Sequence, residues 1–141
     1  MTSDPVATEA ERIVRLVAAD LTMIKPGECL VCYVDRMVHE IGCDTTLRFA
    51  RWFRDRRAPR ASALERRLGY VGGYCDCEIL MNGWWPHPRL WTPARELEED
   101  GIVMCDDPAP PHPMPTCATV RRGSIRPCSN WVRRTHHVMQ W

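Results

Sequence analysis

Two closely spaced cysteine pairs, Cys29-x-x-Cys32 and Cys75-x-Cys77, constrain this chain more than any hydrophobic pattern in it. Each pair brings two thiols within reach of a single ion. Four thiolates close a tetrahedral shell around Zn²⁺, the form of a structural site, and leave no position for a catalytic water. The expectation is therefore one Zn²⁺ held by Cys29, Cys32, Cys75 and Cys77. Gly27 and Gly72-Gly73 give the backbone the freedom to turn N–H groups toward sulfur. Cys32 also falls at the start of an expected helix, where the positive end of the helix dipole favours a thiolate.

The remaining cysteines and histidines fit this centre less well. Cys43 follows Cys32 by eleven residues, at the far end of that helix. At about 1.5 Å per residue it lies roughly 15 Å away, so it is expected to be a small buried hydrophobe. His39 is expected on the helix surface. Cys105, His112, Cys117, Cys128, His136 and His137 stand at intervals that match no chelating pair, so no second structural metal is expected of them. His136-His137 are read as an adventitious metal binder at most.

A chain of 141 residues has room for one modest core. Ala10, Ile13, Val14, Val17 and Leu21 recur at helical spacing behind Asp4-Pro5, which predicts an amphipathic helix from Asp4 to Leu21. A second helix is predicted from the first cysteine pair through Tyr33 to Ile41, stopped at Gly42. A third is predicted over Thr45 to Arg57, capped by Asp44 and ended by Pro59, and a fourth over Ala61 to Leu68. Glu78 to Met81 reads as a short strand or helical turn. Beyond Asn82-Gly83 the proline-rich runs read as extended chain, with a turn or two of acidic helix at most between Pro93 and Val103. The fold class expected is mainly α. It comprises an N-terminal helix over 1–26, a helical zinc domain over 27–84 and a loosely structured extension over 85–141.

Charge is near balance overall but unevenly placed. Nine arginines lie between Arg36 and Arg67 against four acids; six acids and no base lie between Glu96 and Asp107; five arginines and no acid follow Asp107. Arg51, Arg54, Arg57, Arg60, Arg66 and Arg67 form a candidate stripe for RNA or a protein partner, with Trp52 able to stack on a base. The same stripe also reads as a solvated helix face. No run approaches the ~20 apolar residues of a membrane span, and the first residues do not form a signal peptide, so a soluble cytoplasmic protein is expected. In that reducing compartment eight cysteines point to metal or redox chemistry rather than to disulfides.

The run Gly27-Glu-Cys-Leu-Val-Cys-Tyr-Val-Asp-Arg-Met37, followed by Gly42-Cys-Asp44, Arg57-Ala-Pro-Arg60, Leu64-Glu-Arg-Arg-Leu68 and Gly72-Gly-Tyr-Cys-Asp-Cys-Glu-Ile79, resembles an actinobacterial family of small proteins known only as a domain of unknown function. The resemblance covers about residues 27 to 84. It implies a zinc-binding helical domain without assigned activity, with Cys29, Cys32, Cys75 and Cys77 at the motif cysteines. It also carries an association with zinc-dependent ribosome hibernation in mycobacteria.

Three functions are weighed on these grounds. The first is a non-enzymatic zinc-binding adaptor or regulator that contacts RNA, the ribosome or a ribosome-associated protein. The second is a zinc- or redox-sensing switch in which loss of zinc from the cysteine pairs unfolds the domain. The pairing of CxC with CxxC is similar to the zinc centre of a redox-regulated bacterial chaperone, in the opposite chain order. The third is a CxxC dithiol oxidoreductase, but the strand expected before a thioredoxin-like CxxC is absent. No nucleophile–histidine–acid order, phosphate loop or small-molecule substrate site is visible, so an enzyme is not expected. Asp76 and Glu78 are read as tuning the metal's surroundings, and Trp84, Trp85 and Trp91 either as an aromatic platform or as a cap on the small core.

Overall fold

Asp4 and Pro5 start the first element as their residue types require. The Asp4 carboxylate accepts the Val6 N–H at 3.0 Å, and helix α1 runs Pro5–Leu21. The computed structural model describes residues 4–135. Helix α1 buries none of its residues, and Ile13, Val14, Val17 and Leu21 face solvent along its apolar stripe.

The core begins beyond it. Helix α2 spans Leu30–Glu40 and buries Leu30, Val31, Cys32, Tyr33, Val34 and Met37. Its last turn closes where Gly42, at φ +102°, returns its N–H to the Met37 carbonyl at 3.2 Å. Helix α3 spans Arg48–Arg57 and contributes Phe49, Ala50 and Phe53; helix α4 spans Leu64–Tyr70 and contributes Leu64 and Leu68. Tyr33 lies at the centre, edge-on to Phe49 and tilted against Phe53, with its hydroxyl donating to the Thr22 carbonyl at 2.8 Å. Burying an aromatic side chain of this kind contributes about 1.5–3 kcal/mol through apolar area alone.

The start of α3 departs from the local expectation. Asp44 accepts the Thr46 N–H and so caps only the preceding turn, and α3 begins at Arg48 rather than Thr45. The free N–H groups of Phe49 and Ala50 instead meet Asp76, whose two carboxylate oxygens accept them at 3.0 Å each. The Asp76 N–H in turn donates to the Thr46 carbonyl at 3.0 Å. A helix cap has thus been supplied from 26 residues away, by a fully buried acid. Asp76 belongs to α5, a single turn over Asp76–Glu78, and a wide helical turn, Ile79–Gly83, follows it.

From Trp84 onward the chain contains strands, which corrects the mainly α expectation. Strand β1 (Trp84–Pro86) pairs antiparallel with β4 (Trp131–Arg133), while β2 (Arg95–Glu99) and β3 (Ile102–Asp106) form a separate exposed hairpin. The segment read as acidic helix folds as this hairpin because Asp100-Gly101 both take positive φ, 53° and 78°, the geometry of a tight turn whose twist matches that of paired strands. The architecture is a helical core edged by two small antiparallel sheets. The C-terminal segment is not loose throughout, since Cys128 and Trp131 are buried against Cys29, Val31 and Cys32.

Replacing Asp76 with Ala leaves two buried N–H donors at the head of α3 without an acceptor and is expected to lower stability by about 2–4 kcal/mol. Asp76→Asn keeps an acceptor oxygen and is expected to cost less. Urea unfolding of the two variants checks the order.

Candidate metal centre

Helix α2 acts as a ruler. Cys29 and Cys32 lie at its N-terminus, while Cys43 lies just past its C-terminus, about 15 Å on. The cap from Asp76 ties the Cys75–Cys77 turn to the start of α3, which follows directly from the C-terminal end of α2. The two cysteine pairs expected to share one ion are therefore at opposite ends of one helix. The structure corrects the grouping: Cys29 and Cys32 converge with Cys117 and Cys128, and Cys75 and Cys77 converge with Cys43.

In the first group the four sulfurs lie within 4.8 Å of one another, and three of the four residues are buried. The Cys32 and Cys128 sulfurs are 3.7 Å apart. Four sulfurs each about 2.3 Å from a tetrahedral Zn²⁺ would stand about 3.8 Å from one another, so this spacing suits the ion. N–H groups aim at the sulfurs, as thiolates require: Cys32 N–H donates to Cys29 at 3.3 Å, Cys29 N–H and Thr119 N–H both to Cys117 at 3.3 Å, and the Trp131 indole to Cys32 at 3.2 Å. Without an ion the thiols titrate apart. The hydrogen bond from the Cys32 thiol holds Cys29 down to about 6 despite its burial, and the same bond, with burial, raises Cys32. Burial pushes Cys117 up to about 11. A divalent ion replaces the protons that divide these groups.

The second group is more open. Cys75 is buried, but Cys43 and Cys77 are half-exposed, and the Cys75 and Cys77 sulfurs are 3.2 Å apart. Burial would raise the Cys43 thiol, but N–H groups of Cys77 and Thr45 outweigh it and leave the group below its ordinary value. Cys77 is pushed up to about 12, chiefly by its hydrogen bond with Cys75 and then by burial. Among the described residues no fourth cysteine, histidine or acid joins this set. Three thiolates around an ion leave a position for water or an outside ligand.

Cys43 is thus not the buried hydrophobe expected, and Cys117 and Cys128, set aside for their spacing, are ligand candidates brought in from the tail. Short-range spacing carries no trace of such a meeting, although Trp131-Val132 close after Cys128 is an apolar signal in a tail rich in arginine. His39 is exposed on α2, with its ring 5.0 Å from that of His112, and Cys105 lies alone on the exposed face of β3. His136 and His137 lie outside the described residues. Asp76 serves α3, and Glu78 accepts the Tyr74 N–H at 3.0 Å. Trp84 packs on both parts of the core; Trp85 and Trp91 meet edge to face at 5.9 Å, and Trp91 is anchored by its indole to the Pro86 carbonyl.

The arginine stripe divides. Arg51 and Arg54 reach Glu65 at 3.7 and 3.6 Å, and Arg57 donates to the Ile24 carbonyl at 3.1 Å. Arg60, Arg66 and Arg67 are exposed, and no ion pair holds them among the described residues. Arg60 and Arg67 line a cleft with three arginines of the tail. Among the described residues no helix is long and apolar enough to cross a membrane.

The profile of a family described as "Protein of unknown function (DUF2695)" matches residues 30–82. The chain is 42% identical over 76 residues to an uncharacterized protein of Mycobacterium tuberculosis, a match covering 52% of this chain and 73% of the relative. It is equally similar, over the same shares, to an uncharacterized protein of Mycobacterium bovis. No solved structure matches. The profile includes Cys32, Cys43, Cys75 and Cys77 but stops short of Cys117 and Cys128.

Trp131→Phe keeps the ring's bulk but removes the N–H aimed at the Cys32 sulfur. It is expected to weaken metal retention about 10–100-fold, the usual effect of losing such an outer partner. Competition with a chromogenic chelator measures it.

Proposed function

This chain belongs to the DUF2695 family, and from that premise we propose that it is a non-enzymatic zinc-binding adaptor or regulator. Its closed ion fastens the C-terminal segment to the helical core. The observation that carries the reading is the convergence of Cys29, Cys32, Cys117 and Cys128, largely buried and supplied with N–H donors. The chemistry of four soft sulfurs in a closed shell favours Zn²⁺ and leaves no site for a substrate. In this reading the partner is RNA or a ribosomal surface, engaged through exposed arginines that no ion pair holds among the described residues. The cytoplasm, where thiols remain reduced, suits this chemistry.

Elemental analysis of the untagged chain tests it. Zinc is expected in the purified protein, and Cys128→Ser is expected to lose the tightly held ion while Cys75→Ser retains it. Wild-type protein free of metal, with its fold unchanged in strong chelator, would sink the proposal.

A second reading, a zinc- or redox-sensing switch, is favoured by the half-exposed Cys43 and Cys77 beside the buried Cys75. An ion held by three thiolates, two of them accessible, exchanges more readily than a caged one. Hydrogen peroxide, itself reduced to water, would take two electrons from two of these thiolates, joining them in a disulfide and releasing the ion. Mild peroxide is expected to release one fraction of the zinc rapidly from wild type and none of that fraction from Cys43→Ser/Cys77→Ser. Identical release from both proteins would leave only a structural role for the metal.

A further inference from the structure

Ten residues lie between Cys117 and Cys128, and they form an arginine loop. Val120 ties its first part to the core through its N–H on the Gly27 carbonyl at 3.2 Å, and Ile125 packs into the core from the other side. Between these anchors the chain turns at Arg121–Ser124, with the Ser124 N–H on the Arg121 carbonyl at 3.1 Å and Gly123 at φ +84°. Thr119, next to the cage, also takes a positive φ of 69°. The loop is therefore held at both ends by sulfurs of one cage and presented in a set conformation.

Opposite it stands the start of α4. Together they enclose a cleft of about 660 Å³ lined by Arg60, Arg67, Arg121, Arg122 and Arg126 with Ser62 and Ser124 among them, and no acidic residue lines it. None of these five guanidinium groups makes an ion pair among the described residues, whereas Arg36, Arg48, Arg51 and Arg54 are all paired with acids. A smaller cleft of about 250 Å³ continues from Arg121 and Arg122 toward Arg57; the acid in its lining, Glu28, is buried and paired with Arg36. The cationic surface is thus a track along the molecule. Five like charges around one concavity repel one another unless an anion lies between them. The guanidinium fork matches the paired oxygens of a phosphate.

We infer that this track, framed by the Cys117–Cys128 loop and α4, binds successive phosphates of a single nucleic-acid strand. The inference rests on the proposed zinc cage, which fixes the loop, and it names the surface through which that function acts. The open arginine cleft, none of whose polar lining side chains is buried, and its continuation toward Arg57 favour a strand over a free nucleotide. The use of arginine alone favours phosphate over carboxylate.

Fluorescence anisotropy with a labelled single-stranded RNA of about a dozen nucleotides tests the inference, with zinc content measured on every sample. If most of the five arginines neutralise phosphates, log affinity should fall with log salt at a slope on the order of −3, about a hundredfold loss between 50 and 200 mM. Arg121→Ala/Arg122→Ala should keep its zinc, bind at least tenfold more weakly and show a shallower slope. Arg12→Ala, on α1 and paired with Glu9, should match wild type. Tripolyphosphate should compete, and a polyglutamate of equal charge should compete poorly. Undiminished binding by the zinc-loaded double variant, or equal competition by polyglutamate, overturns the inference and leaves the metal reading standing. Arginine-dependent binding by a wild-type chain that holds no zinc would do the reverse.

Discussion

The arrangement depends on sulfurs brought together across nearly the whole chain. The Cys29 N–H reaches the Cys117 sulfur from 88 residues away, and Cys32 meets Cys128 across 96. Closing loops of that length in an unfolded chain costs several kcal/mol of entropy, and a cross-link removes that cost from folding by about 4–5 kcal/mol in the chain-entropy account. Four thiols alone supply little to offset it, because each is a weak hydrogen-bonding group. An ion that gathers four thiolates offsets it readily, which is why the cage and the attached tail stand or fall together.

Helix α2 gives this centre its second consequence. Its rigid length keeps the largely buried four-thiol group at one end and the more open three-thiol group at the other, so one short helix separates a set that could close around an ion from one that would leave a position free. The two ends are mechanically unlike. The cage joins the tail to the core through the indole of Trp131, whereas the open group flanks Asp76, whose carboxylate holds the first N–H groups of α3. Chemistry at Cys75 and Cys77 therefore bears on the arginine-bearing helix, while chemistry at the cage bears on the arginine loop.

The core explains why so small a chain can spend its tail this way. Tyr33, Phe49, Phe53 and Met37 fill the space between α2 and α3 with the few large side chains available. The buried Glu28 carboxylate is gripped at both oxygens by Arg36, which also reaches the Met23 carbonyl, so the approach to the cage is fixed by a paired charge with its hydrogen bonds satisfied. Helix α1 adds nothing buried to this core, and its apolar stripe remains on the surface.

Much of the local structure was legible in the residues. Asp4-Pro5 and the spacing from Ala10 to Leu21 gave α1, Gly42 marked the end of α2, and Pro59 followed the end of α3. The cysteine pairs announced thiolate chemistry because two sulfurs two or three residues apart converge whatever the fold. The identity of their partners was not legible. Cys43, Cys117 and Cys128 have no nearby cysteine in sequence to mark them, and Asp76 gives no local hint that it caps a helix 26 residues earlier. Asp100-Gly101 did carry a local signal, for a hairpin, outweighed in the reading by the acidic run around it. Sequence by itself determined which side chains seek soft ions, where α1 begins and where α2 ends, since those depend on neighbours within a few residues. Tertiary structure alone decided which cysteines share a centre and which arginines share a cleft, since both depend on the direction in which α2 carries the chain and on where the tail returns.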